Sequence, residues 1–267
     1  MEGKRRPWGS ALLLELSHVT RRFGGLLAVS DLSMTVTQGT IHGLIGPNGA
    51  GKSTVFNLIS GVLPVSDGKI LFTGERISGL RPSEICRRGL ARTFQATMLF
   101  RDFTVLENVL VAAHLRAADG LAPALFASRA YRLKEGEILA GARELLTSVG
   151  LGGTAQAGRS MEKLPHRDQK ALSIAMVLAT GAKLVLLDEP LAGLTLQERE
   201  DTLRLLRQLR DRGLTVLLVE HDMRAVMGLC DVVTVLDHGV RIAEGTPREI
   251  QENRAVIEAY LGAEERA

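Results

Sequence analysis

The sequence predicts an α/β protein: an antiparallel β opening, a parallel-sheet core and a helical segment inserted into it. Three observations carry this. A glycine-rich turn, Gly46 to Thr54, stands between a strand pattern and a helix pattern; strands alternate with helices after Met176; and the text between about Val105 and Gly150 is mostly helical. At 267 residues with 45% hydrophobic content, the chain is long enough to bury a core without disulfide or metal staples.

The elements follow in order. Short β-type runs cover Leu12 to Leu16, Leu32 to Val36 and Ile41 to Ile45, with Gly39 marking a turn before the last. Lys52 to Ser60 reads as a helix, Asp67-Gly68 as a hairpin-like turn and Lys69 to Phe72 as a strand. Leu106, Val109, Leu110, Leu145, Leu146 and Val149 recur at helical spacing, whereas Arg116 to Arg132, with Gly120 and Pro123, reads as an irregular connection. Then come strand Leu184 to Asp188, a helix near Glu198 to Arg210, strand Thr215 to Val219, helix Met223 to Leu229, and strands Val232 to Leu236 and Arg241 to Ala243. The expected division is a tail at 1–10, a core from 11–96 and 182–248, a helical subdomain at 97–181, and a C-terminal helix and tail at 249–267.

Several function classes drop out. Cys86 and Cys230 stand far apart with no clustered His, so neither a disulfide framework nor a metal-ligand cluster is expected. Apolar stretches such as Leu184 to Leu187 are strand-length, well short of the roughly 18 to 20 residues of a spanning helix. A reduced, cytoplasmic protein is expected. Basic residues are dispersed except Lys4, Arg5 and Arg6, so no stripe points to nucleic acid as a partner.

The chemistry concentrates in two motifs. Gly46-Pro47-Asn48-Gly49-Ala50-Gly51-Lys52-Ser53-Thr54 matches G-x-x-x-x-G-K-[ST] in full, between strand and helix. Its glycines let successive N–H groups point into one concavity, where they and the helix N-terminus bind phosphate oxygens. Lys52 then reaches the terminal phosphates, and the Ser53 hydroxyl is a ligand for Mg²⁺. A chance glycine-rich turn would lack this strand and helix context. The apolar strand ending in Asp188-Glu189 delivers two carboxylates to the sheet's C-terminal edge. Alone, such acids cap the following helix about as often; beside a phosphate loop, Asp188 is placed to hold Mg²⁺ through water and Glu189 to orient or deprotonate the attacking water.

Those motifs, with Gln95, Leu164 to Lys170, Ala192-Gly-Leu-Thr195 and His221, fall in the order and spacing of the ATP-binding cassette (ABC) family, which the chain resembles over nearly its whole length. Arg22 to Val29, Arg92-Thr-Phe-Gln95, Leu99 to Asn108, Glu220-His-Asp-Met223 and Glu258-Ala-Tyr-Leu-Gly262 look like the ATPases of branched-chain amino-acid importers. The resemblance implies the P-loop ABC ATPase fold, ATP and Mg²⁺ as cofactors, and ATP hydrolysis coupled to transport. It implies that Phe23 stacks on adenine, Gln95 touches Mg²⁺ or the attacking water, and His221 contacts the γ-phosphate. Without the family, an isolated Phe is more often core and a lone His after a strand is a surface or capping residue. It further implies membrane permease subunits, a second ATPase subunit, an indirectly coupled solute-binding protein, and a peripheral location at the inner face of the membrane.

One departure stands out. The family signature Leu-Ser-Gly-Gly-Gln aligns with Leu164-Pro165-His166-Arg167-Asp168, followed by Gln169. In the family this loop reaches across a head-to-tail dimer to the partner's γ-phosphate. Pro165 lacks the hydroxyl and an N–H, and Arg167 stands where a glycine lets backbone approach. The trans contact is expected to be weakened, although a guanidinium also has the charge to act as an arginine finger. A heterodimer with a sister ATPase is therefore expected over a homodimer. The alternatives are a soluble cassette ATPase acting on nucleic acid or ribosomes, and a regulatory nucleotide-binding subunit with little turnover. The solute is not legible in the chain.

Overall fold

The computed structural model describes residues 11–93, 99–117, 129–153 and 164–264. Two long strands open it, β1 (Leu12–Phe23) and β2 (Leu26–Thr37), joined by Gly24-Gly25 with Gly24 at φ 56. They pair antiparallel, and β1 also pairs with β4 (Asp67–Phe72), which pairs with β5 (Glu75–Arg76). The second sheet has the order β10-β9-β3-β8-β7-β6. Here β3 is Ile41–Ile45, β6 Leu90–Arg92, β7 Leu184–Asp188, β8 Thr215–Val219, β9 Val232–Asp237 and β10 Val240–Gly245. All its pairings are parallel except the β9–β10 edge.

Every residue of β3, β7 and β8 is buried, as in central strands covered on both faces. One face packs with the antiparallel sheet and α1 (Lys52–Ile59) around Phe56, Phe72 and Leu14. The opposite face packs under α6 (Leu196–Asp211), α7 (Met223–Leu229), α8 (Pro247–Gln251) and α9 (Arg254–Glu264), with Leu206, Val226, Ile250 and Val256 in its core. A third cluster joins α3 (Val105–Ala117), α4 (Arg129–Ser148) and α5 (His166–Ala179) through Val109, Leu146 and Leu172. Buried Asn108 ties the entry of α3 together, accepting from Phe100 N and donating to the carbonyls of Phe100 and Thr104.

The two opening strands are longer than the sequence pattern indicates. Register shifts between Leu16 and Arg22 break the alternation that would mark them. The three-residue β6 and the six-residue α2 (Pro82–Arg87) are too short for periodicity and were not anticipated. α4 starts at Arg129, inside the stretch read as an irregular connection, and 118–128 lie outside the described residues. In the core, His42 is fully buried with Nε2 2.8 Å from Thr234 Oγ1, which itself donates to Glu244. Desolvation lowers its pKa to about 4, so the ring is neutral.

Candidate active site

The strand order sets the site. β3 lies between β8 and β9, so its C-terminal end opens at the point where connections leave in both directions, the position where open α/β sheets bind ligands. The turn from β3 into α1 is the phosphate loop. Gly46 has φ 152, and any Cβ there would run into the Leu236 carbonyl of β9, so only glycine fits. Gly51, the N-cap of α1, has φ 100, and a Cβ would lie 2.6 Å from the Ala28 carbonyl. Gly46 and Ala50 are buried, whereas Asn48, Gly49 and Ser53 are exposed and Pro47, Gly51 and Thr54 half-buried. Lys52 is buried, and its ammonium folds back to donate to the carbonyls of Gly46 (2.7 Å) and Pro47 (2.8 Å). Burial holds its pKa below the lysine range, opposed by the charges of Glu189 and Asp188.

A cleft of about 510 Å³ is lined by the loop from Asn48 to Thr54 together with Phe23, Glu189, His221 and His238. Phe23, at the end of β1, is 41% exposed on this cleft, and the Arg21 guanidinium sits 4.5 Å from its ring centroid. One face of the ring is thus occupied by a cation.

Asp188 ends β7 and Glu189 follows in the left-handed region at φ 48, held by a bond from its N–H to the Val219 carbonyl of β8 (2.9 Å). His221, just past β8, donates from Nε2 to Glu189 Oε1 at 2.8 Å. The buried Glu220 carboxylate accepts from Leu191 N (2.7 Å) and His221 N (3.1 Å), tying the turn after Glu189 to the turn after β8. Its burial, first, raises its pKa, with backbone donors opposing. Lys170 of α5 donates to the carbonyls of Glu189 (3.3 Å), Pro190 (3.1 Å) and Ala192, so the helical lobe grips the same turn.

Gln95 lies outside the described residues. The signature segment occupies the start of α5, where Pro165 is the N-cap and Leu164 is buried. Gln169 Nε2 donates to the Leu164 carbonyl at 2.9 Å, and Asp168 sits in the first turn. His166 packs near Gly193, and Arg167, half-exposed, pairs with Asp201 Oδ2 of α6 at 3.4 Å. Sequence reasoning assigned no role to Lys170, Glu220, His238 or Arg92, because a lone polar residue has no pattern. Nor did it assign a role to Tyr260 of α9, which hydrogen-bonds with the Gly46 backbone and whose phenol burial pushes up to about 12.

The residues suit a Mg²⁺ nucleotide. Asp188 is 6% exposed, yet its Oδ1 has no hydrogen-bond partner, a buried oxygen ready for a cation or its water. Among the described residues no group of three or more His, Cys, Asp or Glu could hold a metal; Mg²⁺ commonly binds through one or two carboxylates together with substrate phosphates.

A glycine-cradled phosphate loop beside two strand-end carboxylates and a histidine, with a helical lobe reaching the same turn, defines a P-loop nucleotide hydrolase of the cassette type. Residues 29–192 match the ABC transporter family, and residues 240–266 the branched-chain amino acid ATP-binding cassette transporter family. The chain belongs to the ABC transporter family, as an ATPase subunit. It is 42% identical to the high-affinity branched-chain amino acid transport ATP-binding protein BraF of Pseudomonas aeruginosa over 94% of this chain and 98% of that protein. It is 41% identical to LivG of Escherichia coli K12, of the same description, with the same coverage. The lipopolysaccharide export ATP-binding protein LptB of E. coli K12 is 33% identical over 93% of this chain and 97% of its own length. Among solved structures, the ADP conformation of an ATP-binding cassette of an ABC transporter superposes with TM-score 0.81 at 29% identity, over 95% of this chain and all of that one. No helix among the described residues is long and apolar enough to cross a membrane.

Proposed function

We propose that this chain is the ATP-hydrolysing subunit of an importer for branched-chain or related amino acids, docked on permease subunits at the inner face of the membrane. The observation that carries the reading is identity of 41 to 42%, over 94% of the chain, with proteins described as branched-chain amino acid transport ATP-binding proteins. The 240–266 match supports it.

In this reading the loop amides and Lys52 hold the phosphates, with Lys52 leaving its two carbonyls for the γ-phosphate. Ser53 and Asp188, with Gln95, would hold Mg²⁺, and a bound Mg²⁺ would supply positive charge against the nucleotide phosphates. Glu189 orients or deprotonates water, His221 steadies Glu189 and meets the γ-phosphate, and adenine takes the open face of Phe23. An apolar groove of about 340 Å³ between sheet and helical lobe, lined by Val62, Pro82, Leu99 and Met176, suits a permease helix. The exposed, stacked rings of Phe100 and Phe103 support that use. Closure on ATP and reopening on hydrolysis would gate transport, with a solute-binding protein delivering the cargo.

The dimer is read as a heterodimer. Arg167 is engaged with Asp201 in its own chain and Pro165 offers no hydroxyl, so the site this chain completes in trans is the weaker one. The test is reconstitution with permease and binding protein in liposomes. ATP-dependent uptake of labelled leucine or valine is expected, lost in Lys52→Ala and in Glu189→Gln, with Glu189→Gln still binding ATP. Uptake of neither amino acid by an assembled, ATP-hydrolysing complex refutes the substrate class; turnover by Glu189→Gln refutes its role.

A further inference from the structure

Beneath the carboxylate of Asp188 lies a cation that the nucleotide chemistry does not require. Arg92, on β6, is largely covered, its side chain 10% exposed, and its Nη2 donates to Asp188 Oδ2 at 2.8 Å. Its Nη1 donates to Asn57 Oδ1 of α1 at 2.6 Å and lies 3.4 Å from Ser60 Oγ. The guanidinium also stacks 5.4 Å from the centroid of the buried Phe56 ring. One planar group therefore joins the helix that begins at Lys52 to the strand that ends at Asp188. The pairing uses Oδ2 alone. Oδ1 is buried and has no hydrogen-bond partner, so the carboxylate is fixed with one oxygen engaged and the other bare.

A buried carboxylate left to itself would rotate, draw in a proton or collect a water at random. A guanidinium suits the task better than an ammonium because its rigid fork serves the carboxylate and the Asn57 amide together. We infer that Arg92 is a positioning residue for the cation end of the nucleotide site, holding Asp188 Oδ2 so that Oδ1 alone is presented to Mg²⁺ or its water. The inference rests on the reading of Asp188 as the carboxylate nearest Mg²⁺. Arg92 acts through Asp188, not as a ligand of the cation itself. Outer-shell partners of this kind typically matter about 10- to 100-fold in metal affinity.

The test separates cation binding from nucleotide binding. ATP affinity is measured by calorimetry on the whole chain in excess EDTA and in saturating Mg²⁺, and the ratio of the two dissociation constants is the Mg²⁺-dependent gain. Arg92→Met and Arg92→Lys are both expected to lower that gain about tenfold while leaving the EDTA affinity within about twofold. Asn57→Ala, which removes only the anchor on α1, is expected to lower it less, and serves if the Arg92 variants melt at room temperature. Asp188→Asn is the control: a gain unchanged there overturns the placement of Mg²⁺ and the inference with it. A gain lost in Asp188→Asn but unchanged in the Arg92 and Asn57 variants overturns only the inference. Full rescue by Arg92→Lys also overturns it, since that reduces Arg92 to a charge.

Discussion

Replacing Lys170 with Met keeps the apolar stem and removes three charged hydrogen bonds to the turn that follows β7. A hydrogen bond to a charged group contributes about 1.5 to 3 kcal/mol. Those to Glu189 and Pro190 are long, at 3.3 and 3.1 Å, and the Ala192 carbonyl is reachable by water once the ammonium is gone. A net loss of about 2 to 3 kcal/mol follows, which for a domain this large lowers Tm by roughly 5 to 10 °C. Kinetics are the sharper readout. Glu189 sits at φ 48, a backbone state that costs a non-glycine residue about 1 to 3 kcal/mol and persists only while its surroundings enforce it. With the grip released, the turn relaxes and the carboxylate leaves its 2.8 Å contact with His221. Lys170→Met is therefore expected to lower kcat about tenfold or more while KM for ATP stays within about twofold, if the phosphate loop and Phe23 bind the nucleotide as proposed. Lys170→Arg should recover part of kcat. Steady-state ATPase assays beside a calorimetric melt give both numbers. An unchanged kcat with a lowered Tm would refute the positioning argument, and an unchanged Tm would show that the three bonds are replaced by water at no cost.

Three further outcomes are expected. The His42 pKa falls from 6.5 to about 4 on folding, so the unfolded chain takes up a proton first as pH drops. The stabilisation is complete above pH 6.5, declines by about 1.4 kcal/mol per pH unit below it, and levels off near pH 4, about 3 kcal/mol in all; denaturant melts of His42→Gln across that window should lose this slope. Phe23→Ala should weaken ATP binding by about 1 to 3 kcal/mol of lost stacking while leaving inorganic triphosphate affinity unchanged, and Phe23→Trp should retain it; equal loss for both ligands would make Phe23 structural. Pro165→Ser with Arg167→Gly should raise ATP turnover of the isolated chain at least tenfold, since each trans phosphate contact is worth roughly 2 to 4 kcal/mol of barrier. Wild-type chain that already hydrolyses as fast as this variant would remove the case for a heterodimer.

The phosphate loop and the buried strands around it were legible because each is a local pattern. β3, β7 and β8 are short, mostly apolar runs, buried throughout, and their boundaries read from sequence coincide with those in the structure. The loop announces itself by glycines whose positive φ no other residue adopts cheaply. The roles of Arg92, Lys170 and Glu220 were illegible for the opposite reason. Each acts across a long sequence separation, as with Arg92 and Asp188, 96 residues apart, and the tertiary fold alone brings such groups together. β6 was missed because three residues carry no period, and it is the strand that delivers Arg92. A nucleotide role for Phe23 is suggested only by family likeness, since a lone exposed aromatic at the end of a strand has no periodicity of its own.

The seat of the phosphate loop is assembled from distant parts of the chain. Gly46 fits under Leu236 and meets Tyr260, while Gly239 donates to the Ala50 carbonyl and its own carbonyl accepts from Ser30 N. During translation the loop leaves the ribosome long before β9 and α9 exist. At about 5 to 20 residues per second it waits roughly 10 to 40 seconds for the surfaces that shape it. A nascent chain in that interval has the whole phosphate-binding motif but not its mould, so nucleotide cannot template early folding. The seat of the phosphate loop is thus complete only once synthesis has passed the final strands and α9.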